Sequence, residues 1–180
     1  DANYYWEGKE KDVSVITVDF NISAAENKWT AEPSITGWTY GESANAPSYG
    51  AKFGNVTVEY KKASDADSAY SASVPANAGN YNVRLSVAAT DNFGALTKVL
   101  DFTIAKASVA IPTVSGKVYT GENLTADIAD GEHYTVSENN GGTEVGRYDV
   151  KLKLRDDANY YWEGNEKDVS VITVDFNISA

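Results

Sequence analysis

The chain contains no cysteine and no methionine, and only one histidine and four prolines in 180 residues. Without cysteine there is no disulfide framework, no thiolate metal site and no cysteine nucleophile. One histidine cannot furnish a His-rich zinc site. It sits in Asp130-Gly131-Glu132-His133-Tyr134, with no nucleophile-elbow motif to partner it, so His133 is expected to be an ordinary exposed turn residue. Basic residues are scarce as well. Fifteen Lys and Arg against 26 Asp and Glu leave a net charge of −11. A surface of that sign repels phosphate backbones and anionic lipid, so neither nucleic acid nor a membrane surface is expected as a partner. No apolar run approaches the roughly 18 residues that a membrane span requires, which argues against membrane insertion. With no initiator methionine and no basic, apolar leader, the chain is expected to be a piece of a longer protein.

What the chain does have is 42% hydrophobic residues, with 12 Tyr and 4 Trp among them. Aromatic and β-branched side chains pack well on a pleated surface, so this composition suits strands. The apolar period is two. Tyr81, Val83, Leu85 and Val87 alternate with polar residues, and Tyr148, Val150, Leu152 and Leu154 do the same. Turn residues punctuate the runs at Pro75 to Gly79, Asp130-Gly131 and Asn139-Asn140-Gly141-Gly142. No stretch sustains a helical period with caps. The fold class that follows is all-β with essentially no helix, built from small sandwiches or open barrels of five or six short strands. Tyr81, Val83, Leu85, Phe102, Ile104, Tyr148, Val150, Leu152, Phe176 and Ile178 are the expected core.

A repeat dominates the sequence. Residues 1–24, DANYYWEGKEKDVSVITVDFNISA, return as residues 157–180 with Lys9 replaced by Asn165, 23 matches in 24 at an offset of 156. The parent unit is therefore about 156 residues, too long for one solenoid turn and suited to whole domains in an array. A fainter repeat lies inside it. Ala78-Gly79-Asn80-Tyr81-Asn82-Val83-Arg84-Leu85 parallels Val145-Gly146-Arg147-Tyr148-Asp149-Val150-Lys151-Leu152. Tyr40-Gly41-Glu42 parallels Tyr119-Thr120-Gly121-Glu122, Asp91-Asn92-Phe93 parallels Ala158-Asn159-Tyr160, and Phe102-Thr103-Ile104 parallels Phe176-Asn177-Ile178. The landmarks keep their order. The expected organisation is residues 1–24 as the C-terminal part of a preceding second-type module, 25–105 as a first module and 106–180 as a second.

These strings carry a family resemblance. Residues 29–42, WTAEPSITGWTYGE, followed by Ala46-Pro47, Val74-Pro75, Ala78-Gly79-Asn80-Tyr81 and Phe102-Thr103-Ile104, resemble a mostly-β, glycine-containing repeat of large Firmicutes surface proteins. Val118-Tyr119-Thr120-Gly121, Val145-Gly146-Arg147-Tyr148, Asn159-Tyr160-Tyr161-Trp162 and Phe176-Asn177-Ile178 resemble its companion repeat. Together they cover nearly the whole chain and are similar to the MBG and YDG type of repeat. The resemblance implies tandem immunoglobulin-like β-sandwich modules in an extracellular, Gram-positive cell-surface or cell-wall protein of adhesin type. It implies a stalk or spacer with no catalytic residues and no cofactor.

Two chemistries compete with a plain structural role. Carboxylates cluster at Asp65 and Asp67, at Asp127 and Asp130, and at Asp156 and Asp157, but without the Asp-x-Asp-x-Asp-Gly spacing of a calcium loop. Solvated loop acids are the expectation, and no metal site is assigned. Aromatics are the stronger candidates, because sugars stack on exposed Trp and Tyr faces. In the consecutive runs Tyr4-Tyr5-Trp6 and Tyr160-Tyr161-Trp162, alternate strand side chains point to opposite faces, so one ring of each run leaves the core. Trp29, Trp38, Tyr161 and Trp162 are therefore the candidate contacts for a host or cell-wall glycan or protein. A second candidate interface is the apolar stretch within residues 12–22, a strand without the rest of its module and a candidate for self-association.

Overall fold

A computed structural model of the protein describes residues 4–9, 15–165 and 169–180. The fold is all-β; among the described residues there is no α-helix, and a single 3-10 turn at Asp67–Ala69. The strands are β1 (Trp29–Ser34), β2 (Trp38–Thr39), β3 (Ser48–Ala51), β4 (Thr57–Lys62), β5 (Gly79–Val87), β6 (Leu96–Ala105), β7 (Ala107–Val109), β8 (Lys117–Val118), β9 (Tyr134–Asn139), β10 (Gly146–Leu154), β11 (Tyr160–Trp162) and β12 (Val171–Ser179). They form a four-stranded sheet β2-β6-β5-β4 beside the pair β1-β3, then a four-stranded sheet β8-β12-β10-β9 beside the pair β11-β7.

Two apolar clusters, with no residue in common, lie under these sheets. Trp38, Tyr60, Tyr81, Val83, Phe102 and Ile104 make the first. Val109, Ala126, Val150, Leu152, Leu154, Trp162, Ile172, Phe176 and Ile178 make the second. We call the structure around the first the first body (β1 to β6) and that around the second the second body (β7 to β12).

The inner repeat of the sequence is a repeat of structure. In both bodies the glycine-tyrosine strand is the centre of its sheet, with the last strand of the body antiparallel on one side: β5 with β6, and β10 with β12. Tyr81 stands opposite Phe102 and Tyr148 opposite Phe176 in the ladders. A two-residue strand then joins the far edge in parallel, Trp38 beside Ile104 and Lys117 beside Ile178. The parallel strand can approach because a glycine precedes it. A Cβ on Gly37 would stand 2.1 Å from the Thr103 carbonyl oxygen, and one on Gly116 would stand 2.9 Å from that of Asn177. The Tyr40 N–H donates to Ala105 O at 2.8 Å and the Tyr119 N–H donates to Ser179 O at 2.8 Å, so the edge is closed identically.

Nine of the ten expected core residues are buried. Tyr148 departs from the expectation and is half-buried. Its hydroxyl donates to Glu144 O at 2.9 Å, as that of Tyr81 donates to Asn77 O at 2.9 Å, so the anchoring is the same. The cover differs. Trp38 stacks on Phe102 at 5.2 Å, whereas Lys117 holds the matching place in the second body and supplies no ring. Asparagine amides substitute for missing ladder bonds: the buried Asn27 accepts from and donates to the Phe53 backbone at 3.1 Å each way, and the half-buried Asn139 does the same for Ala126 at 3.0 and 2.9 Å. Cross-strand ion pairs on the outer faces, such as Arg84 with Glu59 at 2.8 Å and Lys151 with Glu138 at 2.6 Å, offset local acid repulsion and each contribute little to stability.

Residues 15–24 have the sequence of 171–180 but lie in no strand. The remaining part of the expected self-association segment, residues 12–14, lies outside the described residues.

Phe102→Ala and Phe176→Ala should each destabilise the body that holds the ring, by about 3–5 kcal/mol in urea titrations, the usual cost of emptying a buried aromatic site. Burial raises the Tyr81 phenol above its ordinary 10.0. Folding then favours the protonated form, so its contribution is complete below pH 10 and is lost as pH rises through the raised value. Tyr81→Phe should cost about 1 kcal/mol at pH 7, the net value of one hydrogen bond, and should flatten the loss of stability seen by alkaline urea titration.

Candidate functional site at the joint between the bodies

The aromatics singled out from the sequence do not converge. Trp38 is in the first core. Trp162 is wholly buried in the second, its Nε1–H donating to Ser170 O at 3.3 Å and its ring 5.5 Å from that of Tyr134. Neither presents a face to a ligand, which corrects the expectation for both. The reason is strand parity: in Tyr160-Tyr161-Trp162 the tryptophan takes the inward place. Trp29, at the start of β1, and Tyr161, in β11, are half-exposed and belong to different bodies.

The acidic clusters are engaged locally. Asp67 pairs with Lys61 at 3.6 Å, Asp127 with Lys117 at 2.6 Å and Asp130 with Arg155 at 3.0 Å. Among the described residues no group of three or more His, Cys, Asp and Glu side chains could hold a metal ion.

What the structure does assemble is a joint. β6 ends at Ala105 and β7 begins at Ala107, so Lys106 alone spans the gap. Its Nζ donates to Asp157 O at 2.7 Å. Asn159 is the buried centre. Its Oδ1 accepts the Ala78 N–H of the first body at 2.8 Å, while its Nδ2 donates to Asp156 Oδ2 at 2.8 Å and to Asn77 Oδ1 at 3.4 Å. Above it Tyr160 meets Tyr40 of the first body edge-on at 5.3 Å and stacks on His133 at 4.3 Å. His133 is thus half-buried rather than the exposed turn residue expected, because the ring it covers is pinned from the other side. Burial first, and then Tyr40, Glu132 and Asp156, hold the Tyr160 hydroxyl above its ordinary range. Contacts of this kind order two neighbouring bodies.

The same arrangement begins at the other end of the first body. The Ala107 N–H donates to Asn159 O at 2.9 Å, and Ala107 pairs in parallel with Tyr160. The Ala25 N–H donates to Asn92 O at 2.8 Å, and Ala25 bridges in parallel to Phe93. Asn92-Phe93 and Asn159-Tyr160 were visible in the sequence as matching landmarks, though nothing there revealed that they receive the incoming chain. Ala25 reaches the turn between β5 and β6, while Lys106 leaves from the opposite end of β6. In the second body the joint lies at the β10 end bearing Leu154, and β12 runs away from it to Ser179.

No protein-family model matches the sequence, and no curated protein is similar to it.

Asn159→Ala leaves the Ala78 N–H without its acceptor, a loss of about 1–3 kcal/mol for a buried donor. Together with Tyr160→Ala it should widen the distribution of interbody distances, measured by paired spin labels, while each body keeps its strand content.

Proposed function

We propose that the chain is a non-catalytic spacer repeat of a bacterial cell-surface, adhesin-like protein, extracellular and of the MBG and YDG type that its sequence resembles. The observation that carries this reading is the path of the chain. It enters the first body at one end, crosses to a joint at the other, and leaves the second body at the end away from that joint. Bodies connected in this way extend in line, and their length grows with copy number. The tyrosine hydroxyl bonded back to the backbone four residues upstream occurs in both bodies and supports an immunoglobulin-like sandwich, where such corners recur. An excess of acid over base and the lack of oxidisable Cys and Met suit an exposed stalk.

Glycan or host-protein binding through outward aromatics draws less support, since two of its four candidate residues are core. Glycan-array binding that is lost in Trp29→Ala or Tyr161→Ala would favour it over the spacer reading. The spacer reading itself predicts that adding one 156-residue unit lengthens the particle by a constant increment in small-angle X-ray scattering. A longer chain with unchanged maximum dimension would refute it.

A further inference from the structure

The links that lead into the two bodies share one register. Tyr40 N–H donates to Ala105 O, and Ala107, two residues on, donates to Asn159 O and pairs with Tyr160. Tyr119 N–H donates to Ser179 O, and Ser179 repeats Ser23. Ala25, two residues on from Ser23, donates to Asn92 O and bridges to Phe93. The tyrosine corners fix the rest of the correspondence: Tyr81 donates to Asn77 O and Tyr148 to Glu144 O, so Glu144 and Val145 take in the second body the places of Asn77 and Ala78. In a tandem array of the kind proposed, a second body ending in Ser23-Ala24 stands before each first body. Its Tyr119, Glu144 and Val145 then come to Asn92 and Phe93 as Tyr40, Asn77 and Ala78 come to Asn159 and Tyr160.

We propose that successive units meet at a second specific joint, where Glu144 and Val145 of one unit grip Asn92 of the next. The proposal rests on the array reading and adds to it what sets the order of the bodies. The Val145 N–H meets Asn92 Oδ1 as the Ala78 N–H meets that of Asn159. Tyr119 packs on Phe93, which is backed by Phe53 at 5.7 Å as Tyr160 is backed by His133 at 4.3 Å.

Around the asparagine the side chains are not copied, and their differences are complementary. At the joint within the unit the carboxylate comes from the asparagine's own body. Asn159 Nδ2 donates to Asp156 Oδ2 at 2.8 Å, and Asn77 of the first body adds a neutral amide oxygen at 3.4 Å. Ala89 stands in the place of Asp156, each two residues beyond the central strand, so that place offers Asn92 no carboxylate. Glu144 stands in the place of Asn77, and the carboxylate arrives from the preceding body instead. Each joint thus sets one carboxylate on one amide. Two first bodies in succession would set Asn77 against Ala89 and forgo the charge-assisted bond, which is roughly twice as strong as a neutral one. Two second bodies would crowd Glu144 and Asp156 onto a single amide, and like charges reject that neighbour. The four positions 77, 89, 144 and 156 select strict alternation.

A chain of two units, residues 1–180 followed by a second copy of 25–180, carries the joint. The sequence has no cysteine, so spin labels can be placed on Thr173→Cys of the leading second body and Thr97→Cys of the first body after it. The unaltered joint should give one narrow distance peak. Glu144→Asn in the leading unit should lose that peak, and so should Ala89→Asp in the following unit. The two changes together should restore it, with strand content by circular dichroism unchanged throughout. Such restoration reports a coupling between the two positions, which a merely structural role of either would not produce. A broad distribution in the unaltered chain, a peak that survives Glu144→Asn, or a double variant as broad as the single ones overturns the proposal. Small-angle scattering on the same chains separates the two readings. Lengthening per unit without a narrow peak rejects this joint and leaves the spacer, whereas no lengthening rejects both.

Discussion

Each body depends on the seating of its last strand. β6 and β12 run antiparallel to the central glycine-tyrosine strand, place a phenylalanine opposite its tyrosine, and carry on their other edge the two-residue parallel strand that closes the sheet. Burial of Phe176 and Ile178 supplies the apolar gain, and the ladder supplies partners for backbone groups that would otherwise face a dry interior. Remove that strand, and β10 has an open side, β8 has no neighbour, and the rings of Trp162 and Tyr148 lose a wall.

The joint follows from the same architecture. Because β6 ends at the joint, the chain passes to the second body after a single residue, Lys106, and Ala107 pairs with the backbone at Asn159 and Tyr160. At Asn159 this asparagine also grips the preceding body, with Tyr40, Tyr160 and His133 packed around it. A link of one residue with a buried amide at its centre limits the directions that the next body can take.

Strand parity explains most of what could be read early and most of what could not. Alternation along Tyr81 to Val87 and Tyr148 to Leu154 marks the inward faces, and the structure buries all of them except Tyr148, whose cover depends on what the distant β8 brings. For Tyr160-Tyr161-Trp162 alternation says that one ring must turn outward, but not which, since the choice depends on the parallel partner Ala107–Val109. Likewise the sequence showed Asn159 only as a landmark matching Asn92. Its role came from Asn77 and Ala78, more than 80 residues away in the chain.

The sequence by itself determined the all-β class, the period of the strands, the order of the landmarks and the twofold plan of the unit, because these rest on local alternation and on self-similarity. The tertiary structure alone decided the fate of the duplicated segment. Val171 to Ser179 form a strand and Val15 to Ser23 do not, with the same nine side chains in each. Local preference is equal for the two, so the difference lies outside them: a strand requires a neighbour to receive its N–H and C=O groups and a core to receive its apolar face. β10 provides both for Val171 to Ser179, and among the described residues no strand stands beside Val15 to Ser23.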